Sequence, residues 1–292
     1  MKIAIIGGSG KMGQWLARFL LKEDNEVIIT GRNREKLLNA SRQLGVEATT
    51  DNVAAVRAAG AILLSVPIDN FEEVVRQVAP HTRPEQVIMD ITSVKVLPVA
   101  ALHRHIKAGS ALGTHPVFGP GARGIVKQNF VLTPTDEGER ALAGKVRGYL
   151  EARGARVILM TPREHDEMMA VILGLAHFIA IAAADTLLGF DRLKQMEAVS
   201  GITYRVLLTL VESVLSEDPE LYASLQMSLP NMAEIEGRFQ EKVRAWAELV
   251  RSKDRPEFVS RMKALRAGLE AGNPDFGRAY ENMYNIAQGR DG

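Results

Sequence analysis

Cysteine is absent from all 292 positions. That excludes disulfides, thiolate-held zinc, iron–sulfur clusters and a cysteine nucleophile together, and it fits a reducing compartment. An excess of either charge is missing too: 36 Lys and Arg face 35 Asp and Glu, a formal net charge of +1. A strongly basic nucleic-acid-binding face is therefore not expected. With no run of like charges, neither is a polyanion-binding tail. Internal repeats and low-complexity segments are also lacking. Residues 1–8 hold one basic residue and an apolar run too short for a secretory core segment. The longest apolar stretch, residues 170–190, is interrupted by His177 and Asp185. Its uncharged pieces fall short of the ~18 residues needed to span a bilayer. It reads as a helix buried on most faces. The expectation is a cytoplasmic protein with neither nucleic acid nor membrane as partner.

What is present suits a globular enzyme. Hydrophobic residues make up 46% and charged residues 24%, which excludes wholesale disorder. At roughly 100–200 residues per domain, the length suggests two domains. The first half alternates strand and helix. Apolar runs at 2–6, 26–30, 61–65 and 86–90 read as strands, and 11–21, 33–44 and 69–79 as helices. Unalternating apolar strands divided by helices indicate a parallel sheet covered on both faces. Segments 110–113, 130–132 and 156–159 extend it. After Met160 the pattern becomes helical throughout, with Thr161 and Pro162 as N-cap and first helical residue. The expected organisation is α/β: a Rossmann-type domain over 1–160, then an all-helical domain over 161–292.

Four motifs carry chemistry. Gly8-Ser9-Gly10-Lys11-Met12-Gly13 follows the first strand and opens a helix, the context in which GxGxxG binds a dinucleotide. Gly8 suits the tight turn, Gly10 a close approach of pyrophosphate, and Gly13 helix–strand packing. The helix N-terminus offers N–H groups to the anion. Next, the second strand ends at Gly31, where an NAD enzyme carries an acidic residue for the ribose hydroxyl. Glycine leaves room for a 2′-phosphate, Arg32 can pair with it, and Lys36 lies one turn on. NADP is therefore the expected cofactor, with NAD as the alternative. Ser65 and Pro67, at the end of the strand at 61–65, complete the expected cofactor contacts.

The remaining two motifs, Asp90-Ile91-Thr92-Ser93-Val94-Lys95 and Gly113-Thr114-His115-Pro116-Val117-Phe118-Gly119-Pro120, stand at strand ends. Ligands of open α/β sheets bind outside the carboxyl ends of the strands, so Ser93 and His115 are candidates for polar chemistry. Histidine can take a proton near neutral pH. Further on, His165-Asp166 of Glu164-His165-Asp166 reads equally as a cap or solvated face of its helix and as part of a functional site. His165 and His177 are twelve residues apart, on roughly similar faces but too distant to share a metal. His103 and His105 point to different faces and are assigned nothing.

Taken in order, GGSGKMG, DITSVK, GTHPVFGP, HDEMMAVILGLAH and, more loosely, DPELYASLQ resemble the prephenate/arogenate dehydrogenase family of tyrosine biosynthesis, archaeal-type members in particular. The resemblance implies oxidative decarboxylation. Hydride leaves the ring carbinol of prephenate for the nicotinamide while a base takes the hydroxyl proton. Loss of CO2 then aromatises the ring to 4-hydroxyphenylpyruvate. It implies that His115 is the catalytic histidine, that Ser93 orients the hydroxyl, and that His177 lies at the substrate pocket. One departure stands out. Where the family has its carboxylate-binding arginine before the Asp-Pro turn, this chain has Ser213 or its neighbours, with Glu212 beside it. Arg205 and Arg123 are the candidate substitutes, and arogenate or a related cyclohexadienyl acid remains an alternative substrate.

Other readings have distinguishing features. An F420-type NADP reductase shares the glycine turn and the Gly31-Arg32 element but lacks the His115 loop. A β-hydroxyacid dehydrogenase places a catalytic lysine in the first helix of its second domain, and this chain has no lysine between Thr161 and Asp191. A regulator that senses NADP(H) differs from an enzyme by absence of turnover. The apolar helix near 170–190 predicts a homodimer, because a domain of this size has limited means to bury it.

Overall fold

The computed structural model describes residues 1–288; positions 289–292 of the expected second domain lie outside the described residues. The chain divides into two compact units. One comprises Met1–Met169 with Met227–Pro230, and the other Ala170–Gln226 with the residues from Asn231 onward.

The first unit is built on β1 (Lys2–Ile6), β2 (Glu26–Thr30), β3 (Glu47–Thr49), β4 (Ala61–Leu64), β5 (Val87–Asp90), β6 (Ser110–Pro116), β7 (Asn129–Leu132) and β8 (Arg156–Leu159). Its helices are α1 (Lys11–Lys22), α2 (Arg34–Leu44), α3 (Asn52–Ala58), α4 (Ile68–Val78), α5 (Val96–His105), α6 (Glu137–Glu151) and α7 (Pro162–Met169). The strands form one sheet in the order β3-β2-β1-β4-β5-β6-β7-β8. Strand β1 shows why both faces are covered. Ile3 and Ile5 pack with Trp15, Leu16 and Leu20 of α1, whereas Ala4 and Ile6 pack with Val56, Phe71 and Val75 of α3 and α4. A period of two sends alternate side chains to opposite layers, so a strand buried on both sides must be apolar throughout.

Two details differ from the sequence reading. Strand β3 was not expected; it is a three-residue edge strand with no buried residue, too short and polar to leave an apolar signal. The sheet is also not wholly parallel, because β7 runs antiparallel to β6. Residues 117–128 between them contain Gly119, Pro120, Gly121 and Gly124. A parallel return needs a crossover, usually a helix, and this segment is too rich in helix breakers to supply one.

The second unit is helical, with no strand among its described residues. A π-helical turn, Ala170–Leu175, leads into α8 (Ala176–Leu188). There follow α9 (Leu193–Ala198), α10 (Ile202–Leu215), α11 (Pro219–Ser228), α12 (Met232–Arg251), α13 (Arg255–Gly272) and α14 (Ala279–Gln288). The apolar run corrects two expectations. Pro162–Leu188 is one helical run of 27 residues, long and apolar enough by length and composition to cross a membrane. His177 and Asp185 are too sparse to lower its average. Nor is it buried on most faces: Val171, Ile172, Leu188 and Phe190 are 52%, 53%, 57% and 60% exposed.

Candidate active site

Register places the candidate residues along one edge of the sheet. Ile6 pairs with Leu64, Leu64 with Asp90, and Asp90 with Gly113, all in parallel ladders. Immediately beyond this row come the glycine turn after β1, Ser65 after β4, Ser93 after β5, and Thr114 and His115 on β6.

The glycine turn fits a dinucleotide, with one change of roles. The positive φ falls on Gly7, at 83°, not on Gly8. A Cβ on Gly7 would lie 2.2 Å from the Ser65 carbonyl oxygen, so the tight turn belongs to Gly7. Gly8 instead lies against Ile29, which a Cβ would approach to 2.7 Å, and Gly13 lies against Gly8, with 2.6 Å to its Cα. A Cβ on Gly10 would meet nothing nearer than 3.4 Å, which leaves that side open to a ligand. Gly10 is also the N-cap of α1 and brings no side-chain oxygen to it. The start of α1 is thus not capped by a side chain from its N-cap residue, which suits an anion site.

At the end of β2, Gly31 has a structural duty as well. A Cβ there would lie 2.3 Å from the Ser9 hydroxyl. Arg32 and Lys36 are exposed, and the Lys36 N–H is held 2.9 Å from the Asn33 side-chain oxygen, which caps α2. Ser65 is half-buried and Pro67 exposed.

The densest polar network surrounds His115. Lys95 is fully buried and donates to Asp90, to Thr92 Oγ1 at 3.2 Å and to the Thr114 carbonyl at 2.7 Å. Asp90 also accepts from the Thr92 N–H at 3.0 Å and its hydroxyl at 2.6 Å. His115 is 4% exposed. Its Nδ1 lies 2.8 Å from Nε2 of His165, whose own Nδ1 lies 2.7 Å from Asp166 Oδ1. Burial, then the Lys95 ammonium, then His165, push the His115 imidazole well below its ordinary pKa. It is therefore neutral at pH 7 and able to accept a proton.

Helix α7 delivers His165 and Asp166. The expected cap at its start is a reciprocal box: the Thr161 hydroxyl accepts from the Glu164 N–H at 3.2 Å, and the Glu164 carboxylate accepts from the Thr161 N–H at 2.8 Å. His165 and Asp166 are neither cap nor solvated face but buried. The sequence reading left them unassigned, because nothing local joins residues fifty positions apart. Ser93 is half-buried on the loop between β5 and α5; its hydroxyl has no hydrogen-bond partner among the described residues. Arg123 is exposed on the segment before β7.

In the second unit His177 stands half-buried on α8, its ring edge-to-face with Tyr222 at 4.8 Å. Burial lowers its pKa, and its Nδ1 is buried without a partner. Gln226 Nε2 donates to the Gly174 carbonyl in the preceding π turn at 2.9 Å. Arg205 is exposed on α10, and the Ser213 hydroxyl is turned back to the Leu210 carbonyl at 2.8 Å.

Comparison with known proteins shows the family. Residues 16–159 match the nucleotide-binding domain of prephenate dehydrogenase, and residues 161–264 match its dimerization domain. The chain belongs to the prephenate dehydrogenase family. Within that family of oxidoreductases, it is 36% identical over 277 residues to a probable arogenate/prephenate dehydrogenase of Methanocaldococcus jannaschii, covering 93% of this chain and 62% of the relative. It is 29% identical over 261 residues to the T-protein of Enterobacter agglomerans, covering 88% of this chain and 65% of that protein. The chain thus spans less than two thirds of both relatives. Among solved structures, the fold is that of prephenate dehydrogenase from A. aeolicus, with a TM-score of 0.76 at 21% identity over 94% of this chain and 98% of that one.

Proposed function

We propose that this chain catalyses NADP-dependent oxidative decarboxylation of prephenate to 4-hydroxyphenylpyruvate, the tyrosine-forming direction expected from its family. The observation that carries the reading is His115: a neutral, buried imidazole at the sheet edge that also bears the dinucleotide-type turn. Bound nicotinamide supplies the hydride acceptor. His115 takes the ring hydroxyl proton, and Ser93 orients that hydroxyl. Substrate contacts are assigned to His177, Arg205 and Arg123. The division of labour follows the domain reading, with cofactor binding by residues 1–160 and substrate binding and dimerisation by 161–292, in a cytoplasmic enzyme. Arogenate is the second reading, favoured by the lack of the family's carboxylate-binding arginine around Ser213 and by the name of the M. jannaschii relative.

The test follows reduced-nicotinamide absorbance with each pairing of NADP+ or NAD+ with prephenate or arogenate. Turnover with NADP+ and prephenate supports the proposal. Faster turnover with arogenate selects the second reading, and none with either substrate refutes both. Cofactor preference rests on Arg32. Losing one charge-assisted contact costs about 1.5–3 kcal/mol. Arg32→Ala is therefore expected to raise KM for NADP+ roughly ten- to hundredfold and leave weak use of NAD+ unchanged. A wild type that uses NAD+ as well as NADP+ contradicts this. Arg32→Ala is a cleaner probe than Gly31→Asp, whose Cβ would collide with Ser9.

The exposed apolar face of residues 171–190 also calls for cover, and the matched C-terminal domain is described as a dimerization domain. A second copy of the chain is the commonest solution. Sedimentation at micromolar concentration is expected to give a dimer; a monomer counts against the homodimer.

A further inference from the structure

We infer that His165 and Asp166 are positioning residues for His115, holding its imidazole as the Nδ1–H tautomer so that Nε2 is the basic nitrogen. This rests on the reading of His115 as the proton acceptor.

The inference follows from counting donors. A carboxylate only accepts hydrogen bonds. Asp166 Oδ1 lies 2.6 Å from the Lys95 backbone N–H and 2.7 Å from His165 Nδ1, and Oδ2 lies 2.9 Å from the Val96 N–H. His165 Nδ1 therefore carries a hydrogen. In the neutral ring, His165 Nε2 then holds a lone pair, aimed at His115 Nδ1 across 2.8 Å. Two lone pairs cannot share that line, so His115 Nδ1 carries the other hydrogen and donates it. Only Nε2 of His115 is left to accept. A doubly protonated His165 would instead donate to His115 Nδ1 and leave a hydrogen on Nε2, making that nitrogen a donor and useless as a base.

The same chain serves the charged state. When the substrate O–H bond breaks and the N–H bond forms at His115 Nε2, the ring gains one positive charge. Its Nδ1–H already points at an acceptor, and Asp166 lies behind with the balancing negative charge. The proton stays on His115. The other charges nearby are Lys95 and Asp90, already paired with each other, and the residue opposite on β7 is the apolar Val131. Asp166 also fixes the start of α5 through its two backbone acceptances, which anchors the carboxylate. Orienting partners of this kind matter because a wrongly protonated imidazole cannot act as a base.

The test uses His165→Phe, which fills the space without an acceptor, and His165→Gln, whose amide oxygen can accept from Nδ1–H. Isotope-labelled imidazole NMR of the wild type is expected to show His115 protonated on Nδ1 and bare on Nε2. His165→Phe is expected to lose that single-tautomer signature, to lower kcat by about 10²-fold with KM little changed, and to displace the acid limb of the rate profile. The glutamine variant is expected to restore the tautomer and most of kcat. A merely structural His165 would alter melting temperature and leave the acid limb in place. Wild-type His115 protonated on Nε2 overturns the inference, as does a folded phenylalanine variant with unchanged kcat and acid limb. If the phenylalanine variant does not fold, the wild-type spectrum and the glutamine variant decide. If the wild type turns over neither substrate, the functional reading fails, and the tautomer spectrum still decides whether His165 holds His115 as stated.

Discussion

Replacing His115 with asparagine is expected to lower kcat by about 10²–10⁴-fold, the usual cost of losing a general base, with little change in KM. Asparagine keeps a short polar side chain but cannot take the proton. Loss of a group that acts in the transition state lowers kcat and kcat/KM together. The stability effect should be modest, because asparagine can still donate to His165 Nε2 and so spare it an unmet acceptor. Melting temperature and kcat measured on one preparation separate this from a structural role. A destabilised variant with normal kcat per folded molecule would remove His115 from the chemistry.

The second large effect concerns stability. Lys95→Met is expected to destabilise the fold by about 3–5 kcal/mol, the range for removing one partner of a buried ion pair. Lys95 and Asp90 are both fully buried. Burial pulls the Lys95 pKa down while Asp90 opposes it, so the pair survives only because each charge has its counter-charge and hydrogen bonds. Methionine fills most of the volume and leaves the Asp90 carboxylate uncompensated. Adding Asp90→Asn should recover part of the loss. Denaturant midpoints of the single and double variants check this, and a loss under about 1 kcal/mol for Lys95→Met would show that the pair is not what holds this loop. The substitution also removes the positive charge that depresses His115, so the His115 pKa should rise in a folded variant.

Much of this architecture was legible because it is local. Strand β1 could be read from KIAII, since a strand buried on both faces cannot avoid being an apolar run. The GxGxxG turn and the strand-end placement of Ser93 and His115 followed from motif and strand boundary together. What was not legible depends on contacts between distant segments. Gly7 stands beside the GxGxxG motif, yet the Ser65 carbonyl that leaves no room for a Cβ there comes from a distant strand end. His165 and Asp166 looked like the first turn of a helix, and only the fold brings that turn against β6 and the start of α5. The antiparallel β7 hinged on whether residues 117–128 make a crossover, which strand composition alone does not report. The helix after residue 170 was read as buried from its composition. Composition records that the face must be covered, not whether this chain or another copy covers it.

The central claim is that His115 is a neutral base whose pKa lies below the ordinary histidine value because of burial and Lys95. A base works only when unprotonated, so activity should fall as pH drops through the His115 pKa. The profile of kcat/KM reports the free enzyme. The most direct test is that profile for the wild type and His115→Asn with NADP+ and prephenate, or with arogenate if that is the better substrate. The account predicts an acid limb with its midpoint below pH ~6.5 in the wild type and no such limb in the variant. A midpoint above that value, or an acid limb that persists unchanged after His115 is replaced, would contradict it.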